Sequence, residues 1–259
     1  MYPTLELDYN KLLDMVSEMG YRLMKSGAEI YRVEESIQRL LQAYGAPRGE
    51  VFAIPNCLMV SLTSPDGRPV TQIRRMPTHG TDIYLLEKYN GLCRETPAFE
   101  EALEQMEAIT RTHRVYSLPT QLAAHFLGCG MFSLFYGGTP ADGLCGGLCG
   151  MVIGLCMALM TRLGANLFFR TIAGGAASAL AAVALTRLGV GQNQDLIIIG
   201  ALMALVPGIA MTNAMRDIMA GDMVAGISKA AGALLIGAAI ALGTALALGL
   251  TRMVTGGAL

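Results

Sequence analysis

The feature that most constrains this chain is a series of long apolar runs that begins near Leu118 and continues almost to the C-terminus. Each run approaches or exceeds the ~20 residues that a helix needs to cross ~30 Å of hydrocarbon. The runs cover residues 119–136, 142–160, 167–188, 196–215 and 223–250. The sequence therefore predicts an α-helical polytopic membrane domain with about five transmembrane helices.

Charge is distributed unevenly along the chain. Of the 19 Lys and Arg residues 13 precede Val115, and so do 16 of the 20 Asp and Glu residues. We therefore expect an α+β domain in water over residues 1–114, followed by the membrane domain over residues 115–259. The net charge of −1 and the lack of a basic stripe with aromatic residues argue against a nucleic-acid partner.

Helical periodicity marks the start of the first domain. Apolar residues recur at helical spacing between Asn10 and Arg22, which predicts an amphipathic helix. Ser26 and Glu29 have the spacing of a capping box, so a second helix is expected to start at Ser26 and to stop at Gly45.

A β-hairpin is expected after the second helix. Residues 51–63 and 70–76 are rich in β-branched and apolar side chains, and the Ser-Pro-Asp-Gly sequence at 64–67 has the chemistry of a turn. Pro55 predicts a bulge or an edge, which could divide the first strand into two.

The fourth apolar run contains a Pro-Gly break at Pro207 and Gly208. Proline removes a backbone donor and clashes with the preceding helical turn, so we expect a kink there. Asn213 and Asp217 follow at a spacing of four residues, which places them on one helix face. They are candidates for a solute path, although Asp217 could equally be a solvated or Arg-paired acid.

Two further polar residues lie within apolar runs, His125 and Arg170. An imidazole at membrane depth can carry a proton near neutral pH, but a hydrogen-bonded structural histidine is an equal alternative. Arg170 could contact an anionic solute, although an arginine near a helix end commonly reaches back to the interface.

Topology follows from the N-terminus and the cations. The first 25 residues lack a secretory signal, so the N-terminal domain is expected in the cytoplasm and the chain in the plasma (inner) membrane as a multi-pass protein. This orientation places most of the later cations on cytosolic ends. The six cysteines fit no zinc spacing and are expected to be reduced packing residues. We expect no cofactor and no metal.

Two stretches resemble a known family. They are LMKSGAEIYRVEESIQRLLQAYGA, residues 23–46, and PGIAMTNAMRDIMAGDMVAGISK, residues 207–229. With the hairpin and the apolar runs, they make the chain similar to the threonine/serine exporter (ThrE) family and to its shorter YjjP-type members. The resemblance implies a cytoplasmic domain and a membrane domain that exports small amino acids or dicarboxylates.

The resemblance also implies motif residues and partners. Fused members carry a second set of spans, so a separate small membrane subunit or a homo-oligomer is expected for a chain that stops at Leu259. The motif residues carried over are Gly27, Glu29, Arg32, Glu34 and Glu35 from the first stretch, and Pro207, Gly208, Asn213, Asp217 and Gly221 from the second.

The leading functional hypothesis is therefore a proton-coupled secondary transporter that exports carboxylate-bearing solutes such as threonine and serine. A dicarboxylate exporter of succinate type is the first alternative. The second is a membrane-tethered hydrolase that uses Ser26, His79 and His113 of the first domain, although neither a GxSxG nor a HExxH motif occurs.

Overall fold

The computed structural model describes residues 8–46, 48–63, 67–77 and 80–254. The chain forms two compact units. The first comprises the chain up to Arg114 together with residues 209–230, and the second comprises residues 115–208 and 231–259. The charge boundary at 114/115 is thus also a boundary between units, but residues 209–230 pack with the N-terminal part.

The first unit is a layer of helices against a small sheet. Its N-terminal part contains α1 (Tyr9–Lys25), α2 (Ile30–Ala43), β1 (Glu50–Ile54), β2 (Cys57–Thr63), β3 (Pro69–Arg75), α3 (Ile83–Glu95) and α4 (Phe99–Thr112). It also includes α9 (Gly208–Ala220) from Ile209 onward and the start of α10 (Met223–Val254).

Helices α1 and α2 bury the apolar stripes that their periodicity predicts. Leu12 and Val16 of α1 have no exposed surface, and neither have Val33 and Ile37 of α2. The helix α1 also contains Gly20, where an added Cβ would lie 2.5 Å from Leu58 Cδ2 of β2. The glycine therefore permits the close approach of α1 to the sheet.

The predicted capping box at Ser26 is wrong. The helix α2 begins at Ile30, and its N-cap Glu29 makes no side-chain capping bond. Ser26 is instead the C-cap of α1, and its Oγ donates to the carbonyl oxygen of Arg22 at 2.8 Å. Residues 26–29 end α1 and lead into α2, so the N-cap of α2 is Glu29 and not the predicted Ser26.

The sheet is antiparallel with strand order β1-β2-β3. Ile54 pairs with Cys57 across the two residues Pro55 and Asn56, so the predicted break of the first strand at Pro55 is confirmed. Leu58, Val60 and Leu62 of β2 are buried, as expected for a strand with one face on a core. The predicted turn at 64–67 lies mostly outside the described residues.

The second unit contains the apolar helices. They are α5 (Leu118–Phe135), α6 (Pro140–Arg162), α7 (Leu167–Arg187), α8 (Gln194–Leu202) and the part of α10 from Ala231. Among the described residues three helices are long and apolar enough to cross a membrane, namely α6, α7 and α10. The chain is therefore a helical membrane protein, and its described part has three such helices rather than the expected five or so.

The predicted continuous fourth span is wrong. It is divided into α8 and α9 by residues 203–207, where the backbone is not helical. Pro207 has no N–H to donate and clashes with a preceding helical turn, so the helix stops rather than kinks. With nine residues, α8 is only ~14 Å long and does not cross a bilayer by itself.

Small residues bring the helices of the second unit close together. A Cβ on Gly130 of α5 would lie 2.8 Å from the carbonyl oxygen of Gly143 of α6, and one on Gly200 of α8 would lie 2.5 Å from the amide nitrogen of Ser133 of α5. A Cβ on Gly243 of α10 would clash with the carbonyl of Ile172 of α7. Glycines thus set the helix spacing, as in other membrane bundles.

Candidate functional site

The turn between α1 and α2 exposes backbone carbonyls that other side chains use. Gly27 has a φ of +95°, which an L side chain rarely adopts, and an added Cβ would lie 2.7 Å from the carbonyl oxygen of Gly80. The amide of Ala28 donates to the carbonyl of Leu23 at 3.1 Å and so closes the end of α1. The carbonyls of Gly27 and Ala28 stay available.

Asp217 of α9 caps α2. Its Oδ1 accepts a hydrogen bond from the backbone amide of Ile30 at 2.9 Å, and its Oδ2 lies 2.7 Å from Nζ of Lys229 on α10. The side chain of Asp217 has no exposed surface, and that of Lys229 is 18% exposed. A carboxylate at a helix N-terminus meets the positive end of the helix dipole, so Asp217 stabilises the start of α2.

Two more side chains bind the same turn. Lys229 Nζ donates to the carbonyl of Ala28 at 3.3 Å, and Asn213 Nδ2 donates to the carbonyl of Gly27 at 3.1 Å. We call this group the junction cluster. It comprises Gly27, Ala28, Glu29, Ile30 and Arg32 from the α1–α2 region and Asn213, Arg216, Asp217 and Lys229 from α9 and α10.

Glu29 adds a second carboxylate to the junction cluster. Its Oε1 accepts from Arg216 at 2.8 Å and its Oε2 lies 3.5 Å from Arg32 Nε, while its own side chain is 6% exposed. Burial works against ionisation of Glu29, but hydrogen bonds from its own amide and from Arg216, with the charges of Arg32 and Arg216, hold its pKa below the ordinary value.

The junction cluster thus contains two carboxylates and three cations whose contacts depend on charge. Both oxygens of Asp217 have protein partners, so the cluster acts as a clamp that joins α2 to α9 and α10. Within the described ranges no group of three or more His, Cys, Asp or Glu residues could hold a metal ion. The contacts of the junction cluster are ion pairs and hydrogen bonds.

The structure therefore brings together five of the twelve residues predicted from the sequence, namely Gly27, Glu29, Arg32, Asn213 and Asp217. Two residues of the first motif lie outside the cluster. Glu34 accepts from the amide of Ala53 at 2.7 Å, and its pKa is raised, chiefly by burial. Glu35 pairs with Arg39 at 3.1 Å on the surface. Gly221 of the second motif follows α9 in the first unit and has a φ of +101°.

The remaining four predicted residues belong to the second unit. His125 Nδ1 lies 2.8 Å from the carbonyl oxygen of Gln121, and because a carbonyl only accepts, Nδ1 carries the hydrogen. Arg170 is in the first turn of α7, and its Nε is buried without a hydrogen-bond partner among the described residues. Pro207 ends the non-helical segment and Gly208 begins α9.

Sequence reasoning missed Lys229 as the partner of Asp217 and gave Arg216 no partner. Lys229 lies twelve residues beyond Asp217 on another helix, so local spacing does not pair them. A lysine near an apolar helix is commonly read as an end-residue at the interface. The available signal was that Asp217 and Lys229 are of opposite sign and lie beside long apolar runs.

A second completely buried carboxylate lies in the second unit. Asp142, in the first turn of α6, accepts hydrogen bonds from the amides of Thr139, Gln192 and Asn193 at 2.7–2.9 Å. The Thr139 hydroxyl and the Asn193 side-chain amide donate to it as well. Five neutral donors thus hold this carboxylate between the start of α6 and the loop before α8.

The residues of the hydrolase alternative do not form a nucleophile–base pair in the described part of the chain. The Ser26 hydroxyl donates to the Arg22 carbonyl at 2.8 Å, and His113 Nε2 lies 2.8 Å from Asp82 Oδ2. His79 lies outside the described residues. All six cysteines are free thiols.

Comparison with known proteins identifies the family. Residues 14–251 match the family described as "Putative threonine/serine exporter" (ThrE). A protein of Mycobacterium tuberculosis named "Probable threonine/serine exporter" is 28% identical over 239 residues, which cover 89% of this chain and 44% of that protein. The chain thus spans less than half the length of this relative. No solved structure matches it. Because the family match covers most of the sequence, this chain belongs to the threonine/serine exporter family.

Proposed function

We propose that this protein is a secondary transporter that exports small amino acids of the threonine and serine type. The family match and the name of the mycobacterial relative support this substrate class. The proposal places the N-terminal unit in the cytoplasm, where the positive-inside rule favours it.

The observation that carries the proposal is the interruption of the fourth apolar run at residues 203–207. Non-helical backbone at membrane depth is tolerated only where protein or a water-filled cavity surrounds it. Discontinuous helices of this kind form the substrate and ion sites of many secondary transporters. Four residues of α8, Ile197, Ile198, Gly200 and Ala201, are buried, so one side of this short helix packs against protein.

The second unit offers charges of both signs for a zwitterion. The C-terminal end of α8 presents the negative end of a helix dipole, which suits an ammonium group. Arg170 contributes a guanidinium with a buried, unpartnered Nε, which suits a carboxylate. We therefore propose that Arg170 binds the solute carboxylate and that Pro207 and Gly208 shape the path.

Proton coupling is proposed to involve His125. With its Nδ1 hydrogen directed at the Gln121 carbonyl, the opposite ring nitrogen is the atom left to accept a proton. Asn213 and Asp217 have a different proposed role, because Asn213 Nδ2 and both carboxylate oxygens of Asp217 have protein partners. They would stabilise one transport state through the junction cluster rather than contact the solute.

The proposed transport unit includes a second small membrane subunit or another copy of this chain. The experiment is efflux of labelled threonine, serine and succinate from proteoliposomes, with an imposed proton gradient and with a protonophore as control. We expect threonine and serine efflux above that of empty vesicles, from the chain alone or with its partner. Flux equal to that of empty vesicles in both cases refutes the proposal, and flux of succinate alone assigns dicarboxylate export instead.

Variants locate the solute and proton sites. Arg170→Gln should reduce threonine efflux at least tenfold, whereas Arg162→Gln, at the exposed end of α6, should leave it unchanged. His125→Gln should abolish the acceleration by the proton gradient while leaving downhill flux measurable. Equal loss in Arg162→Gln and Arg170→Gln would contradict the assigned carboxylate site.

A further inference from the structure

A cleft between α2 and α3 of the first unit is separate from the proposed transport path. It has a volume of about 230 Å³. Helix α2 lines it with Arg32, Ser36 and Arg39, which are spaced so that they share one face. Helix α3 contributes Asn90 and Arg94, one turn apart. The cleft is thus lined by polar groups from two rigid elements.

Several of these groups have no partner in the part of the chain that the structure describes. Among the described residues no hydrogen bond or ion pair involves the Ser36 hydroxyl, the Asn90 amide or the Arg94 guanidinium. Ser36 is only 8% exposed and lines both the cleft and the smaller pocket beside it. The cleft therefore presents donors that a ligand could satisfy.

The charge of the lining favours an anion. Three guanidinium groups stand against one carboxylate, that of Glu35, which already pairs with Arg39 at 3.1 Å. A guanidinium has the fork of donors that matches a carboxylate. The wider groove of about 480 Å³ between α3 and α4 differs, since Glu87 and Glu95 there outnumber Lys88.

The narrow end of the cleft reaches the junction cluster. A smaller pocket of about 20 Å³ shares Arg32, Ser36 and Asn90 with the cleft and is also lined by Ala28 and Glu29. Arg32 therefore lines the cleft while its Nε lies 3.5 Å from Glu29 Oε2. A ligand that engages Arg32 would change the ion pairs of the junction cluster.

We propose that the α2–α3 cleft is a binding site for a small carboxylate solute, held by Arg32 and Arg94 with Ser36 and Asn90 as hydrogen-bonding groups. The volume suits a metabolite of amino-acid size, because pockets for drug-sized ligands begin near ~300 Å³. The site deepens the proposed function and rests on it for the ligand class, since it would report the cytosolic level of the exported solute to the junction cluster.

The chain contains no tryptophan, so a single one placed in the cleft gives a local signal. Tyr31 lines the cleft, and Tyr84 lines the α3–α4 groove. Purified full-length chain with Tyr31→Trp is titrated with threonine, serine, succinate and inorganic phosphate. We expect saturable fluorescence changes with a carboxylate for Tyr31→Trp and none for Tyr84→Trp.

Charge variants in the Tyr31→Trp background test the contacts. Arg94→Gln should weaken the apparent affinity about tenfold or more, while Arg111→Gln, whose side chain is 79% exposed and pairs with Glu107, should leave it unchanged. Calorimetry on the unmodified chain and its Arg94→Gln variant repeats the comparison without tryptophan. The proposal is overturned if neither measurement shows a response up to about 10 mM solute. It is also overturned if the cleft prefers phosphate, or if Arg94→Gln binds the carboxylate with unchanged affinity.

Efflux from proteoliposomes is measured with the same preparations. Export without binding in the cleft refutes this site and leaves the transporter proposal standing. Binding in the cleft without export under any gradient refutes the transporter proposal alone. The two failures are therefore distinguishable.

Discussion

Asp217 in the first unit and Asp142 in the second are both completely buried carboxylates, but their charges are compensated differently. Asp142 is held by five neutral donors, three of them backbone amides. Asp217 has one backbone amide and one ammonium group, that of Lys229. Neutral donors from a folded loop fix a carboxylate permanently, whereas an ion pair can be released when one charge is lost. The neutral donors around Asp142 are suited to an anchor, and the ion pair of Asp217 with Lys229 is suited to a clamp that opens.

The largest effect is expected from Asp142→Ala, which leaves five donors without their acceptor. Each unsatisfied buried donor costs ~1–3 kcal/mol, so we expect a loss of at least ~3 kcal/mol, seen as a large drop in the thermal midpoint of the detergent-solubilised protein. Asp195→Ala, an exposed acid in the first turn of α8, is the matched control. A loss no greater than that of the control would show that Asp142 is not an anchor.

A somewhat smaller loss is expected from separating Asp217 and Lys229. Removing one member of a fully buried pair costs ~3–5 kcal/mol, and the 18% exposure of Lys229 lowers our expectation to ~2–3 kcal/mol for Asp217→Asn or Lys229→Met.

The double variant Asp217→Asn with Lys229→Met tests whether the two side chains interact with each other or contribute independently to stability. It should lose less than the sum of the single losses, because no unpaired charge then remains. Additive losses in thermal unfolding would mean that the two side chains do not interact energetically.

Acid should weaken the junction cluster through Glu29. The pKa of Glu29 in the folded protein is below its ordinary value of 4.5, so its stabilisation is complete above that pH and is lost as the pH falls through the folded-state pKa. The thermal midpoint of the parent protein should fall as the pH is lowered from 6 into the acid range. We expect this fall to be smaller in Glu29→Gln, by about 2–4 °C, which corresponds to ~1 kcal/mol. Glu35→Gln, at a side chain 64% exposed, should follow the parent protein.

The smallest effect is expected from Ser26→Ala. Because Asp217 rather than Ser26 caps α2, and because the Arg22 carbonyl also accepts from the Ser26 amide at 3.0 Å, the loss should stay below ~0.5 kcal/mol. Asp8→Ala removes a real cap, whose Oδ1 accepts from the Asn10 amide, and should cost ~1 kcal/mol. A larger loss of stability for Ser26→Ala than for Asp8→Ala would indicate that Ser26 does cap α2.

Local periodicity was enough to predict the helix α1 and the buried stripe of α2, and the proline at position 55 was enough to predict the strand break. The proline at position 207 also located the break in the fourth apolar run, because proline disrupts the helical turn that precedes it. It could not predict the cap of α2, since the acceptor on Asp217 comes from the far end of the chain. The same limit applies to the α2–α3 cleft, where Asn90 and Arg94 come from a different helix than Arg32.

The hydropathy pattern also could not predict whether the fourth apolar run forms one helix or two. Hydropathy is continuous through Pro207, and a proline inside a membrane helix can produce either a kink or a stop. The outcome depends on whether neighbouring side chains bind the freed backbone and on what the following segment packs against. Here the following residues contain Asn213, Arg216 and Asp217, and all three have partners on the α1–α2 turn.

Gly27 carries a practical consequence for genetic work on this protein. Its positive φ and the 2.7 Å approach of the Gly80 oxygen to a would-be Cβ penalise all nineteen alternatives at once. In a saturation library, codon 27 should thus behave as an internal standard for complete loss of function. The scores of all other alleles can be scaled against it without a separate deletion strain.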